Sequence, residues 1–202
     1  MREARKNQSE RQRAAGAVPA LSAGAASELD NRWHLARDAR EVTVTELEFS
    51  LIRAGSAFDR WQAECLAAVA HQQLGSTDNV ILHVIRLKDR PKTTTEIARL
   101  LNRDDVANLQ YSVRKLQSAG LIERCTVGKR KGASYRVTQR GKLITEEYAS
   151  LRSHLLMSLI PSVEHWDEQV LGAKRILDLM RGIYDQAALV LATHRTLQEE
   201  ER

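Results

Sequence analysis

From Thr45 onward the chain carries apolar residues at helical spacing. Leu47, Leu51, Ala54, Phe58, Trp61, Cys65 and Ala68 recur at alternating intervals of four and three, a heptad-like seam. With Thr45 as N-cap and Glu48 in the capping-box position, this predicts a helix from Thr45 to about Gln73, ended by Gly75. A compact middle section follows. Asp78 to Leu87 predicts a short helix with Val80, Ile81, Val84, Ile85 and Leu87 apolar. Pro91 and the threonines behind it break the pattern. Thr95 is placed to cap a second short helix, TEIARLLN, with Ile97, Leu100 and Leu101 inward. Asn102 to Asp105 is a polar turn able to cap a third helix, in which Val106, Leu109, Val113 and Leu116 face inward. Ala119-Gly120 stops that helix.

The period then changes. Leu121 to Thr126 and Ser134 to Thr138 predict two strands joined by the polar, glycine-containing VGKRKGA, which is a hairpin. After Gly141 a helix is expected from Lys142 to about Leu159. Pro161 breaks it and Ser162 caps the last helix, where Val163, Trp166, Val170, Ala173, Leu177, Met180, Tyr184, Ala187 and Leu191 keep the three-four alternation. Ahead of all this, residues 1–40 (MREARKNQSERQR, then AAGAVPALSAGAA) show no periodic apolar face. Such a segment buries too little surface to offset its ordering entropy, so a flexible arm is expected, ending in a short helix around Trp33 to Arg40.

Composition and charge narrow the function. The 202 residues carry a formal net charge of +5. Between Leu121 and Lys142 stand seven basic residues (Arg124, Lys129, Arg130, Lys131, Arg136, Arg140, Lys142) and one acid, Glu123, a local +6. The basic excess is thus concentrated on the hairpin, where a polyanion would be met. The two cysteines, Cys65 and Cys125, form no CxxC pair, and the histidines form no ligand spacing, so neither a disulfide framework nor a metal site is expected. There is no uninterrupted apolar stretch of membrane-spanning length and no secretory signal, so the expectation is a soluble cytoplasmic protein. No phosphate loop, nucleophile elbow or metal motif is present, so neither an enzyme nor a cofactor is expected.

Helix, turn, helix, basic hairpin is the order of a winged helix-turn-helix. Such a fold lays its recognition helix in the major groove of DNA and sets its wing on the backbone or the minor groove. The expected fold class is mainly α with a small β-hairpin wing, flanked by long dimerisation helices. The expected organisation is an arm at 1–40, an N-terminal dimerisation helix at 41–75, a DNA-binding lobe at 76–141 and C-terminal dimerisation helices at 142–202. The candidate DNA contacts are Thr94 and Thr95; Asn108, Gln110, Tyr111, Ser112, Arg114 and Lys115 on the recognition helix; and Lys129, Arg130, Lys131 and Ser134 on the wing. Gln and Asn pair with adenine edges, Arg with guanine.

The segment TTTEIARLLNRDDVANLQYSVRKLQSAGLIERCTVGKRKGASYRVTQRGKLI resembles the core of MarR-family regulators, through EIARLLN, a recognition helix ending in Leu116, AGLIER and VTQRGK. The resemblance runs from about Thr45 to the C-terminus and is most specific between Thr94 and Ile144. It implies an obligate homodimer with interlocking terminal helices, a palindromic operator, and a small aromatic or phenolic effector that releases DNA. Trp61, His71, Arg86 and Trp166 lie on elements that border the effector cavity in such a dimer, and the two tryptophans read equally as plain core. One departure stands out. The family's wing carries Asp-x-Arg, whereas here it is Gly128-Lys129-Arg130-Lys131-Gly132. A more phosphate-directed, less sequence-specific wing is expected. Two other readings compete: a thiol-based regulator using Cys65 or Cys125, and a winged-helix scaffold that binds proteins and does not read DNA.

Overall fold

The computed structural model describes residues 34–126, 133–160 and 164–200, with side chains as far as His194. The expected arm before residue 34, the wing tip with Lys129, Arg130 and Lys131, and the break at Pro161 to Val163 lie outside the described residues. The chain divides into two compact units, Met1–Glu146 and Glu147–Arg202.

In the first unit, α1 (Ala39–Ala70) is longer than the seam predicted. Its N-cap is Asp38, whose carboxylate accepts from the Glu41 amide at 2.9 Å. Thr45 is not a cap: it is buried two turns in, and its hydroxyl donates to the Glu41 carbonyl. Ala39 and Arg40, expected in a separate short helix, open α1. The helix ends at His71 in the left-handed region (φ 52°), four residues before Gly75. Gly75 is the N-cap of α2 (Ser76–Arg86). Of the seam only Cys65 is buried, beside Gln62, Leu66, Val69 and Ala70 on the face actually packed, whereas Ala54, Phe58 and Ala68 are exposed. A buried hydrogen bond from Asn79 Nδ2 to Gln62 Oε1 (3.1 Å) ties α2 to α1.

A 3-10 turn (Leu87–Asp89) leads to β1 (Lys92–Thr93), a strand the sequence pattern did not reveal. Thr93, not Thr95, caps α3 (Thr94–Leu100), accepting from the Glu96 amide at 3.1 Å. Ile97 is fully buried, but Leu100 is exposed. Asp105 caps α4 (Val106–Ser118), as the polar turn suggested. Leu109, Val113 and Leu116 are core residues and Val106 is exposed. Gly120 supplies the left-handed turn (φ 71°) after α4. β2 (Ile122–Cys125) and β3 (Ser134–Val137) pair antiparallel, and the sheet order is β1-β3-β2. Lys92 lies opposite Tyr135 and Thr93 opposite Ser134, so the expected hairpin of β2 and β3 is present and β1 adds a third strand to it.

β1 is only two residues long and is held in place by Lys92. This lysine is 1% exposed, and its Nζ donates to the carbonyls of Ile85 (3.1 Å), Leu87 and Arg90 (3.1 Å). It closes the C-terminal end of α2, where orphan carbonyls need a donor. Burial and the neighbouring Arg90 hold its ammonium pKa below the usual lysine value.

α5 (Gln139–Arg152) starts three residues before the expected Lys142. Thr138 caps it by accepting from the Gly141 amide, while its hydroxyl donates to the Gly120 carbonyl at 2.7 Å. Beyond Glu146 lies the second unit. There α5 gives way to a π-helical turn (Ser153–Met157), and α6 (Trp166–Glu200) runs for 35 residues. Large apolar residues are exposed along α6, among them Val170, Leu179, Ile183 and Val190.

Candidate nucleic-acid interface

The recognition helix α4 has two faces. Leu109, Val113 and Leu116 anchor one in the core. The other presents Gln110, Tyr111 and Arg114, all exposed and without hydrogen bond or ion pair among the described residues. Asn108 is also exposed, but both its amide and its side chain are turned to the Asp105 carboxylate. Lys115 is half-buried and bonded to Asp78 at 2.8 Å, with only 5% of the Asp78 side chain exposed. Ser112 and Ser134 are buried, 4% exposed each, and do not belong to the outer surface. Thr94 is half-buried and Thr95 exposed in the first turn of α3.

Arg124 on β2 and Arg140 at the start of α5 are exposed and form no ion pair among the described residues. Two neighbouring cations are matched by acids: Arg136 on β3 pairs with Glu123 at 2.6 Å and Lys142 on α5 with Asp89 at 3.2 Å. The Lys142 ammonium, first, and Arg86 hold the Asp89 carboxyl below its usual pKa. The basic excess on this surface is therefore smaller than the sequence count.

Three of the candidate effector residues lie in the first unit and one in the second. Arg86 is held by Asp89 (2.8 Å) and Glu146 (3.4 Å). His71 is the exposed C-terminal residue of α1, and the Trp61 ring nitrogen is buried without a hydrogen-bond partner among the described residues. Trp166 opens α6 in the second unit. Lys92, Asp78 and Gly141, which position the interface, escaped the sequence reading because their roles depend on contacts distant in sequence. Among the described residues no His/Cys/Asp/Glu group could hold a metal ion, and no helix is long and apolar enough to cross a membrane.

Residues 74–141 match the family model for a winged helix DNA-binding domain. No curated protein sequence matches the chain. Many solved structures resemble it. A mutant MarR from E. coli complexed with operator DNA shares 20% identity at a TM-score of 0.57, over 71% of this chain and 99% of that one. The regulator BldR from Sulfolobus solfataricus shares 18% at 0.56, over 70% and 99%. A further MarR family transcription regulator shares 19% at 0.56, over 74% and 98%. The chain has a winged-helix lobe at its centre. Over most of its length it has the fold of the MarR-family transcription regulators, as the resemblance of its sequence implied.

Proposed function

We propose that this chain is a MarR-family transcription regulator that binds a palindromic operator as a homodimer and is released from it by a small aromatic or phenolic effector. The exposed, unengaged side chains of Gln110, Tyr111 and Arg114 carry the reading. They stand on a helix whose opposite face is fixed in the core, next to a sheet bearing Arg124 and followed by Arg140 at the start of α5. That is the side-chain chemistry and the rigid mounting that reading base edges requires. The exposed apolar length of α6 supports the dimer, since a monomer rarely leaves such a surface in water. The effector reading rests on the family resemblance.

A redox regulator is less well supported. Cys65 is buried, and burial raises its thiol pKa, so the reactive thiolate is disfavoured. A protein-binding scaffold fits poorly with a recognition face of Gln, Tyr and Arg.

The test is a binding titration against the chain's own upstream DNA and a scrambled duplex, at two salt concentrations. Tight binding to the first, with a specific excess and two chains per site, is expected. Equal, weak binding to both would remove the claim of sequence-specific regulation at that promoter. No binding at low salt would favour the scaffold.

A further inference from the structure

We propose that the N-terminus of α2 is a seat for one backbone phosphate of the duplex, on the flank of the recognition helix. The proposal rests on the DNA-binding reading above and deepens it. A cavity of about 420 Å³ opens between Gly75, Ser76 and Thr77 of α2 and Asn108, Tyr111 and Ser112 of α4, with Arg103 from the intervening turn beside it.

Two independent features supply donors to this cavity. The first is the helix end itself. Gly75, as N-cap, has no side chain to accept from the first turn, and the amides of Ser76, Thr77 and Asp78 have no acceptor among the described residues. The Asp78 carboxylate, which could have turned to them, instead accepts from the Gly75 amide (2.9 Å) and Lys115 Nζ (2.8 Å). Free amides at the positive end of a helix dipole form an anion site.

The second is Ser112. It is 4% exposed, lines the cavity, and its hydroxyl has no partner among the described residues. Helical Ser and Thr usually return their hydroxyl to the carbonyl one turn back. Thr43, Thr45, Ser56 and Thr193 all do so here. Ser112 does not, so its hydroxyl is left available to a ligand in the cavity.

The cavity's two acids do not block an anion. Asp78 is matched by Lys115; Asp105 is occupied by Asn108, with Arg103 on the same cavity wall. The location selects the ligand. A helix about 10–12 Å across nearly fills a major groove about 12 Å wide, so phosphate ridges run along both its flanks. The cavity adjoins Asn108 and Tyr111, which belong to the exposed side of α4. A phosphate bound there reads no base. It fixes how deeply, and in what register, α4 enters the groove.

Two substitutions test this. Ser76→Pro deletes one amide hydrogen at the first helical position, where proline is well tolerated, and the extended backbone of Gly75 (φ −95°, ψ 178°) suits a following proline. Ser112→Ala deletes only the hydroxyl. Each is expected to weaken binding to both the upstream and the scrambled duplex by about tenfold, leaving their ratio and the melting temperature unchanged. If the parent protein binds DNA and both variants bind equally well, this seat is wrong and the DNA-binding reading stands. If the parent binds no DNA, both fall. Should Ser76→Pro lower the melting temperature, Ser112→Ala alone decides. Amide NMR signals of Ser76 and Thr77 are expected to move on adding duplex and not on adding inorganic phosphate. Saturation by inorganic phosphate alone would mean a small-anion site and would overturn the assignment to the duplex.

Discussion

At Gly141 one missing methyl group decides whether α5 can begin where it does. A Cβ built there would lie 2.1 Å from the Leu121 carbonyl oxygen, a rigid backbone atom. Gly141→Ala is therefore expected to cost about 1–3 kcal/mol, read as a lower urea midpoint, because backbone must shift to relieve the clash. Lys92→Met keeps the bulk of the side chain but strips three carbonyls of their donor, and a loss of about 1–3 kcal/mol is expected in the same assay. The half-buried His83 adds a pH dependence. Burial lowers its pKa below 6.5, so the folded chain resists a proton that the unfolded chain accepts. Its contribution is complete above about pH 6.5 and is lost as pH falls toward the folded value. Melting curves between pH 7 and pH 5 should show that loss, and His83→Gln should reduce it. None of these three roles was legible in the sequence beyond Gly141 as an interruption. A lysine or a glycine declares its role only when the carbonyls around it have been placed, and those come from Ile85, Leu87 and Leu121.

The elements themselves were more legible, because their apolar period needs no tertiary knowledge. The third helix was expected to hide Val106, Leu109, Val113 and Leu116 and to stop at Gly120; it stops there and hides all but Val106, which is exposed at its first turn. The misplacements arise where local chemistry had two solutions. Thr45 fits a cap by sequence, but Asp38 lies earlier and the Thr45 hydroxyl bonds one turn back. Thr93 outcompetes Thr95 because β1 delivers it extended to the start of α3. A two-residue strand such as β1 has too few positions to show a period of two. On the recognition helix, Ser112 and Lys115 are polar by type yet held inward, which a single helical wheel cannot reveal. The remaining face gives a clean contrast. Gln110→Ala is expected to change sequence preference, by about 1–3 kcal/mol for a bidentate base contact, with little effect on scrambled DNA. Arg130→Ala, on the wing, should weaken binding to all sequences and reduce the salt slope by about one. Equal losses on both duplexes for Gln110→Ala would remove it from the base-reading set.

For the whole molecule the informative surface is α6. The apolar residues of a long helix are normally enclosed, yet Leu171, Leu179, Ile183, Val190 and Leu191 are all exposed here. Thirty-five residues at about 1.5 Å each give a rod near 50 Å, more apolar length than a lone chain leaves in water. Within it Leu179, Gly182, Ile183, Ala187 and Val190 line one shallow, apolar strip, where small residues allow close approach of a second helix. Two-fold pairing through such a strip would present two copies of α4, and dimers of this class read half-sites about 34 Å apart on one face of the duplex. Sedimentation is therefore expected to give twice the 22.8 kDa chain mass. Ile183→Glu, which sets a charge in the strip without touching the winged-helix lobe, should shift the protein toward monomer. Single lobes retain their phosphate contacts, so binding to scrambled DNA should change little, whereas the preference for a palindromic site should collapse. A variant that stayed dimeric would place the interface elsewhere, and one that became monomeric with its palindrome preference intact would separate dimerisation from operator recognition.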